Sequence, residues 1–136
     1  MLQADEQTLE NYIDEMAKDV ELDELCIKEV QMKIPALRHK WVGRLMRHKS
    51  ALAHLEHKKR NYKNQAMEKM KDSSMYGVSD AALEKIISKQ EPMMNNNEQM
   101  KCHRLVIEFL EKAEKIFSSL TFDIKNLIEI IKLETL

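Results

Sequence analysis

The stretch that most constrains the fold of this chain covers residues 35–72, where apolar side chains recur at helical spacing. They stand three or four residues apart, or at multiples of those steps: Leu37, Trp41, Leu45, Leu52, Leu55, Tyr62, Ala66 and Met70. That spacing puts them in one stripe of a helix with 3.6 residues per turn, and His48 and Lys59 fall in the same stripe. The pattern predicts one long helix that begins at Pro35, because proline suits a first helical turn.

The predicted helix carries half of the lysines and arginines of the chain, 11 of 22. Residues 31–72 have a net charge of +9, whereas residues 1–30 have −8 and residues 73–136 have −2. Because charges act over about 10 Å at ordinary salt, these local charges matter more than the overall value. Residues 1–34 are predicted to form an acidic arm that folds against the basic helix of its own or a neighbouring subunit, in preference to an arm that binds a dedicated partner.

Composition predicts a single all-α domain over residues 1–136. The chain has two glycines, two prolines and ten methionines, and 33% of its residues are charged, which argues against a β-sheet. The acidic arm is predicted to hold short helices with a break near Glu21, where Asp23 would be the N-cap of the second helix.

Residues 73–97 are predicted to connect the long basic helix to the C-terminal part. Gly77 suits a left-handed turn after the helix ends. Ser79 can cap a short helix over residues 80–90. The run of one proline, two methionines and three asparagines within residues 91–97 predicts a loop.

A second long helix is predicted over residues 98–118. Its wide apolar face consists of Leu105, Val106, Phe109, Leu110, Ala113, Ile116 and Phe117. We expect this face to pack antiparallel on the stripe of the basic helix, which makes a long helical hairpin. Thr121 either caps a final helix or lies within a continuous one.

The C-terminal segment is apolar on two sides. One face collects Leu120, Ile124, Leu127, Ile128 and Ile131, while Phe122, Ile130 and Leu133 point roughly the opposite way. One face suffices for the core of a protomer, so the second predicts contact with another subunit. The predicted oligomerisation segment comprises Phe122, Ile124, Leu127, Ile128, Ile130, Ile131 and Leu133.

Catalytic and metal chemistry find little support in the sequence. Gly43 and Gly77 are the only glycines, so no phosphate-binding loop exists, and His54 with His57 has no further ligand at metal-binding spacing. The histidines are expected on a polar face. Cys26 and Cys102 are expected as small core residues in a reducing, cytoplasmic setting. No apolar run is long enough for a membrane helix, and we expect no enzyme activity and no cofactor.

Nucleic-acid binding fits the basic helix better. One cationic cluster consists of Lys58, Lys59, Arg60 and Lys63, and a second consists of Lys69 and Lys71. Tyr62 and Tyr76 lie close by in the sequence and could stack on bases. A second interpretation stays open, because a basic helix that faces an acidic arm could be an intramolecular charge pairing.

Short patches along the chain resemble the UvsY family of phage recombination mediators. The similar patches are Lys18-Asp19-Val20-x-Leu22-Asp23, Pro35-x-Leu37-x-x-Lys40-Trp41, Val106-Ile107-Glu108-Phe109-Leu110, Thr121-Phe122-x-Ile124-Lys125-Asn126 and Ile128-Glu129. They occur in the family's order and span most of the chain. In that family a Lys-x-Arg pair that binds DNA precedes a Tyr-Tyr-Ser-Gly turn. Here Lys69-Met70-Lys71 precedes Met75-Tyr76-Gly77, whereas a gapped alignment moves the contact to Lys58, Lys59, Arg60 and Lys63.

The resemblance implies a phage-encoded, non-enzymatic protein of the host-cell cytoplasm that binds single-stranded DNA. It also implies a homo-oligomeric ring, a hexamer or heptamer, that loads a RecA-like phage recombinase onto strands coated by the phage single-stranded-DNA-binding protein. The DNA-binding residues would be Lys58, Lys59, Arg60, Lys63, Lys69, Lys71 and Tyr76. The alternative function is a helical scaffold or adaptor whose basic helix pairs with an acidic helix.

Overall fold

A computed structural model of the protein describes residues 2–73 and 77–136, and in these ranges the chain is helical with short connections and no strand. The helices are α1 (Glu6–Asp19), α2 (Ile27–Asp72), α3 (Asp80–Ser88) and α4 (Glu91–Glu134). A 3₁₀ turn at Glu24–Cys26 leads directly into α2. The predicted all-α fold is therefore confirmed.

Local hydrogen bonds fix where α1 begins and where it breaks from α2. Asp5 and Thr8 form a capping box, in which the Thr8 backbone N–H donates to the Asp5 carboxylate at 2.9 Å. The predicted break near Glu21 is confirmed, and the Asp23 carboxylate accepts a bond from the Leu25 backbone N–H at 2.9 Å. Asp23 caps the 3₁₀ turn and not a separate short helix.

Helix α2 is 46 residues long and begins eight residues earlier than predicted. Pro35 lies inside it, so the interpretation of Pro35 as the first helical residue was wrong. A proline within a helix removes one backbone hydrogen bond, but Pro35 is exposed, so water can reach the carbonyl that loses its donor. The end at Asp72 agrees with the prediction, and Gly77 has a φ of 89°, in the left-handed region.

Helix α4 is 44 residues long and includes both the predicted loop over residues 91–97 and the predicted helix over residues 98–118. The loop predicted over residues 91–97 was wrong, because Pro92 lies in the first turn of α4, where proline has no helical bond to lose. The helix also continues through Thr121, whose hydroxyl donates to the Phe117 carbonyl at 3.1 Å and caps no new helix. The short helix α3 begins after Ser79, the predicted N-cap.

Helices α2 and α4 form the predicted antiparallel hairpin. Arg38 donates to the Ser118 hydroxyl at 3.0 Å near one end, and Asn96 donates to the Leu55 carbonyl at 3.1 Å near the other. Helix α1 lies against the half of the hairpin that holds the start of α2. The core shared by these three helices comprises Met16, Ile34, Trp41, Leu45, Val106, Leu110, Ala113, Phe117, Leu120 and Ile124. Leu105 and Ile116, predicted on the packed face, are 46% and 40% exposed at its margins.

Three hydrogen-bonded polar side chains, Tyr12, His48 and His103, lie in the middle of this core. His48 and His103 are fully buried, with their Nδ1 atoms 2.9 Å apart, and the Tyr12 hydroxyl lies 3.0 Å from His48 Nε2. One Nδ1 must donate to the other, so at least the accepting imidazole is neutral. The expectation that the histidines occupy a polar face was wrong for these two. Cys102 is buried as expected, whereas Cys26 is exposed.

Candidate nucleic-acid interface

Among the described residues, the ion pairs between the acidic arm and α2 involve two cations, both in the first half of the helix. Lys40 Nζ lies 2.5 Å from the Asp19 carboxylate, which also accepts a bond from Trp41 Nε1 at 2.8 Å. Arg44 pairs with Glu15 through its guanidinium. The intramolecular charge pairing that the sequence left open therefore occurs at this end of the helix.

The second half of α2 forms one wall of an open groove, which we call the cationic groove. The other walls are the first turns of α4 and the segment before α1, and the groove has a volume of about 380 Å³. Its lining residues are Leu2, Gln3, Leu55, Lys58, Lys59, Tyr62, Pro92, Met93, Asn95, Asn96 and Gln99.

A smaller groove of about 190 Å³ continues along α2 beyond Tyr62. Lys69 and Met70 line it from α2, and Gln90 lines it from the residue before α4. Tyr62 belongs to both grooves, and its hydroxyl donates to Gln90 Oε1 at 2.5 Å. That bond holds the phenol ring at the junction between the two grooves.

The seven predicted DNA-binding residues divide into groups. Lys58, Lys59 and Lys69 line the two grooves. Lys63 and Lys71 pair with carboxylates of α3, namely Glu84 at 3.0 Å and Asp80 at 3.3 Å. These pairs are solvent-exposed and each is worth about 0–1 kcal/mol, so phosphate could displace them.

Arg60 stands apart from both groups. Arg60 is exposed, and it is absent from the lining of either groove. Tyr76 lies outside the described residues.

Lys58 and Lys59 line the first groove and Lys69 lines the second, and no acidic side chain is among their described lining residues. Both grooves are therefore cationic. Lys58 and Lys69 are separated by eleven residues, or about 16 Å along the helix axis. Uncompensated charge along such a path attracts an extended polyanion, and the attraction decreases with added salt. The geometry suits a strand that runs along α2.

Sequence reasoning missed the wall opposite α2. Gln3, Asn95, Asn96 and Gln99 line the cationic groove, yet three of them fell in or beside a predicted loop. The asparagine run within residues 91–97 was interpreted only as a helix breaker, although Pro92 also signals the start of a helix. For the segment that holds Gln3, the one available signal was the Asp5-x-x-Thr8 capping pattern, which shows that it precedes α1.

A third groove, of about 300 Å³, lies on the other side of Leu2 and was also missed. Arg47 and His54 line it from α2 together with Leu2 from the N-terminal segment. Arg47 extends the positively charged surface of α2 back towards the middle of the helix.

The predicted oligomerisation segment has one packed and one open side. Ile124 is 1% exposed and belongs to the protomer core, while Phe122, Ile130 and Leu133 are 63%, 51% and 70% exposed. Leu127, Ile128 and Ile131 are half-buried between these two sides. The open face is at the opposite end of the hairpin from the cationic groove.

Within residues 2–73 and 77–136, no three His, Cys, Asp or Glu side chains come close enough to hold a metal ion. None of the described helices combines the length and the apolar character required to cross a membrane.

The fold and the grooves define a class: long helical-hairpin proteins with a cationic surface at one end and an exposed apolar helix at the other. Residues 15–135 match the family described as "Recombination, repair and ssDNA binding protein UvsY". Since that match covers most of the chain, the protein belongs to the UvsY family, and the predicted resemblance is confirmed.

Solved structures agree with this assignment at the level of the fold. A crystal structure of the bacteriophage T4 recombination mediator protein UvsY, lattice type II, gives a TM-score of 0.80 at 17% identity, covering 93% of this chain and 97% of that one. The lattice type IV structure gives a TM-score of 0.79 at 18% identity, covering 93% and 98%. No curated protein sequence matches the chain significantly.

Proposed function

We propose that this protein binds single-stranded DNA as a recombination mediator and that the strand lies along the second half of α2. The observation that carries the proposal is a cationic groove, free of acids in its described lining, in a chain of a family described by recombination, repair and single-stranded-DNA binding. Lys58, Lys59 and Lys69 would contact phosphates, and Tyr62 would offer its aromatic ring for stacking on a base. Arg60, Lys63 and Lys71 would add charge from the flank of the helix.

We further propose that the protein acts as a homo-oligomeric ring, a hexamer or heptamer, without catalysing a reaction. The exposed face of Phe122, Ile130 and Leu133 supports assembly, since large apolar patches mark interaction surfaces. A few lysines bind a strand weakly, but a ring repeats the groove and makes each further contact intramolecular. A strand held in this way would be presented to a RecA-like recombinase in place of the coating single-stranded-DNA-binding protein.

The test compares two double variants of α2 in a salt titration. Lys58→Ala with Lys59→Ala should weaken binding of a single-stranded oligonucleotide and reduce the slope of log affinity against log salt by about 1.4, since each phosphate contact contributes about 0.7. Lys28→Ala with Lys33→Ala removes the same charge from exposed positions at the other end of α2, and it should change neither quantity by a comparable amount. Equal effects of the two variants would refute a localised site.

A second candidate function is a helical scaffold, which is favoured by the ion pairs of Lys40 and Arg44 with α1. Those pairs show that part of the basic helix serves the protomer itself. If neither double variant affects binding, and the parent protein binds single strands no better than other polyanions, the scaffold function is preferred.

A further inference from the structure

The cationic groove has a chemistry that phosphate binding alone does not require. Besides Lys58 and Lys59, four carboxamide side chains line it: Gln3, Asn95, Asn96 and Gln99. Phosphate binding needs donors and positive charge, whereas a carboxamide offers both a donor and an acceptor. Paired donors and acceptors are the complement of a nucleobase edge.

The groove also has an apolar side and a size suited to a small ligand. Leu55, Pro92 and Met93 contribute apolar surface next to the Tyr62 ring, and Leu55 and Met93 are themselves 6% and 4% exposed. A volume of about 380 Å³ lies near the lower end of the range for small-molecule sites, which is about 300–1,000 Å³. An apolar wall, a few polar groups and two cations are what a base with its attached phosphate would contact.

Some of the four carboxamides make no hydrogen bond within the described part of the protein. Asn96 uses its Nδ2 on the Leu55 carbonyl, and its Oδ1 is buried without a hydrogen-bond partner among the described residues. Gln99 accepts a long bond of 3.4 Å from the Ala4 backbone N–H through Oε1. Gln3 and Asn95 are exposed and make no side-chain hydrogen bond within the described chain. At least two carboxamides are therefore available to a ligand.

We propose that this groove receives one nucleobase of the bound strand, with Gln3 and Asn95 on its polar edge, Tyr62 and Met93 on its faces, and Lys58 with Lys59 on the adjoining phosphate. The inference rests on the proposed function and adds a base-binding subsite to it. Rotation of a carboxamide exchanges the positions of its donor NH2 group and its acceptor oxygen. The subsite can therefore match the edges of different bases and need not impose sequence specificity.

The test separates bases from phosphates. Binding is measured by fluorescence anisotropy for a thymidine homopolymer and for an abasic strand of the same length, which has the same phosphates and no bases. The parent protein should bind the thymidine strand roughly tenfold more tightly, as expected for one base held by stacking and hydrogen bonds. The Gln3→Ala/Asn95→Ala variant should lose several-fold affinity for the thymidine strand and keep its affinity for the abasic strand.

Two controls identify the cause of that loss. Gln31→Ala removes an exposed carboxamide that is far from the groove and outside the oligomerisation segment, and it should leave both affinities unchanged. The Lys58→Ala/Lys59→Ala variant should weaken binding of the two strands by a similar factor, because both strands present phosphates.

Three outcomes would overturn the inference, and they are distinguishable. If the parent binds both strands equally, only phosphates are held, so the base subsite is refuted while the proposed function stands. If the preference for the thymidine strand persists in the Gln3→Ala/Asn95→Ala variant, bases are bound elsewhere. If the parent binds neither strand, the proposed function and the subsite fall together.

Discussion

The buried histidine pair should make the stability of the hairpin depend on pH. His48 is fully buried, and its pKa is lowered to about 4 by burial first and then by the nearby charges of His103, Arg44 and Arg47. In the unfolded chain a histidine has a pKa of about 6.5. Between these two values the unfolded state binds a proton that the folded state excludes, so the folded state loses stability as the pH falls.

The size of the effect follows from those two pKa values. Proton linkage gives a loss of about 2 kcal/mol in the free energy of unfolding between pH 7.5 and pH 5 from His48 alone. Burial also lowers the pKa of His103, which adds a loss in the same direction. The stability is fully present above about pH 6.5 and decreases through the range down to about pH 4.

Urea denaturation followed by circular dichroism, at one protein concentration and at pH 7.5, 6.5, 5.5 and 5, measures this loss. A His48→Gln variant should be less stable at pH 7.5 but should lose much less stability on acidification, because it has no imidazole at that position. His39→Gln changes an exposed histidine on the same helix and should keep the pH dependence of the parent. A flat profile for the parent, or an equal slope in the His48→Gln variant, would show that the buried pair is not the cause.

Three other predictions concern helix propensity, core packing and subunit assembly. Gly43→Ala should stabilise the protein by about 1 kcal/mol through helix propensity, since its Cβ would meet only the movable Arg47 side chain at 3.2 Å; a lower melting temperature would contradict this. Phe117→Ala should cost about 3–5 kcal/mol in chemical denaturation, because Phe117 is 1% exposed in the core, and a loss below 1 kcal/mol would argue against that packing. Ile130→Asp with Leu133→Asp should give a smaller species in light scattering, and an unchanged mass would exclude this face from assembly.

The hairpin was predictable from sequence because its apolar periodicity is long and regular. The stripe from Leu37 to Leu55 and the face from Val106 to Phe117 each extend over several helical turns. One atypical residue, such as His48, therefore does not obscure the helical period. The helix boundaries at Pro35 and Pro92 were harder to predict, because proline is compatible with both a helix start and an interior position. In the structure Pro35 lies at an exposed position within α2, and Pro92 lies in the first turn of α4.

The candidate site was predictable only on one side. The lysines of α2 stand out in the sequence because their charges cluster within a single element. Gln3 and Asn95 come from distant parts of the chain: the register of α4 against α2 brings Asn95 to Lys58, and the segment before α1, whose Ala4 N–H donates to Gln99, brings Gln3 there. The position of His48 in the apolar stripe indicated that it faces the core, but its contact with His103 depends on the same register and could not be read from either residue's neighbours.

The length of α4 means that a small rotation at one end of the helix produces a large displacement at the other end. Asn96 at the cationic groove and Ile130 on the open apolar face lie on one unbroken helix, about 50 Å apart at 1.5 Å per residue. If subunits join at the Ile130 end, a rotation of about 10° at the joint would displace the groove by about 9 Å. That displacement exceeds the ~3.4 Å rise of a stacked strand per nucleotide, so a small adjustment at the joint could stretch or slacken the DNA. Breaking the helix midway with two glycines should uncouple the joint from the strand while leaving each able to bind.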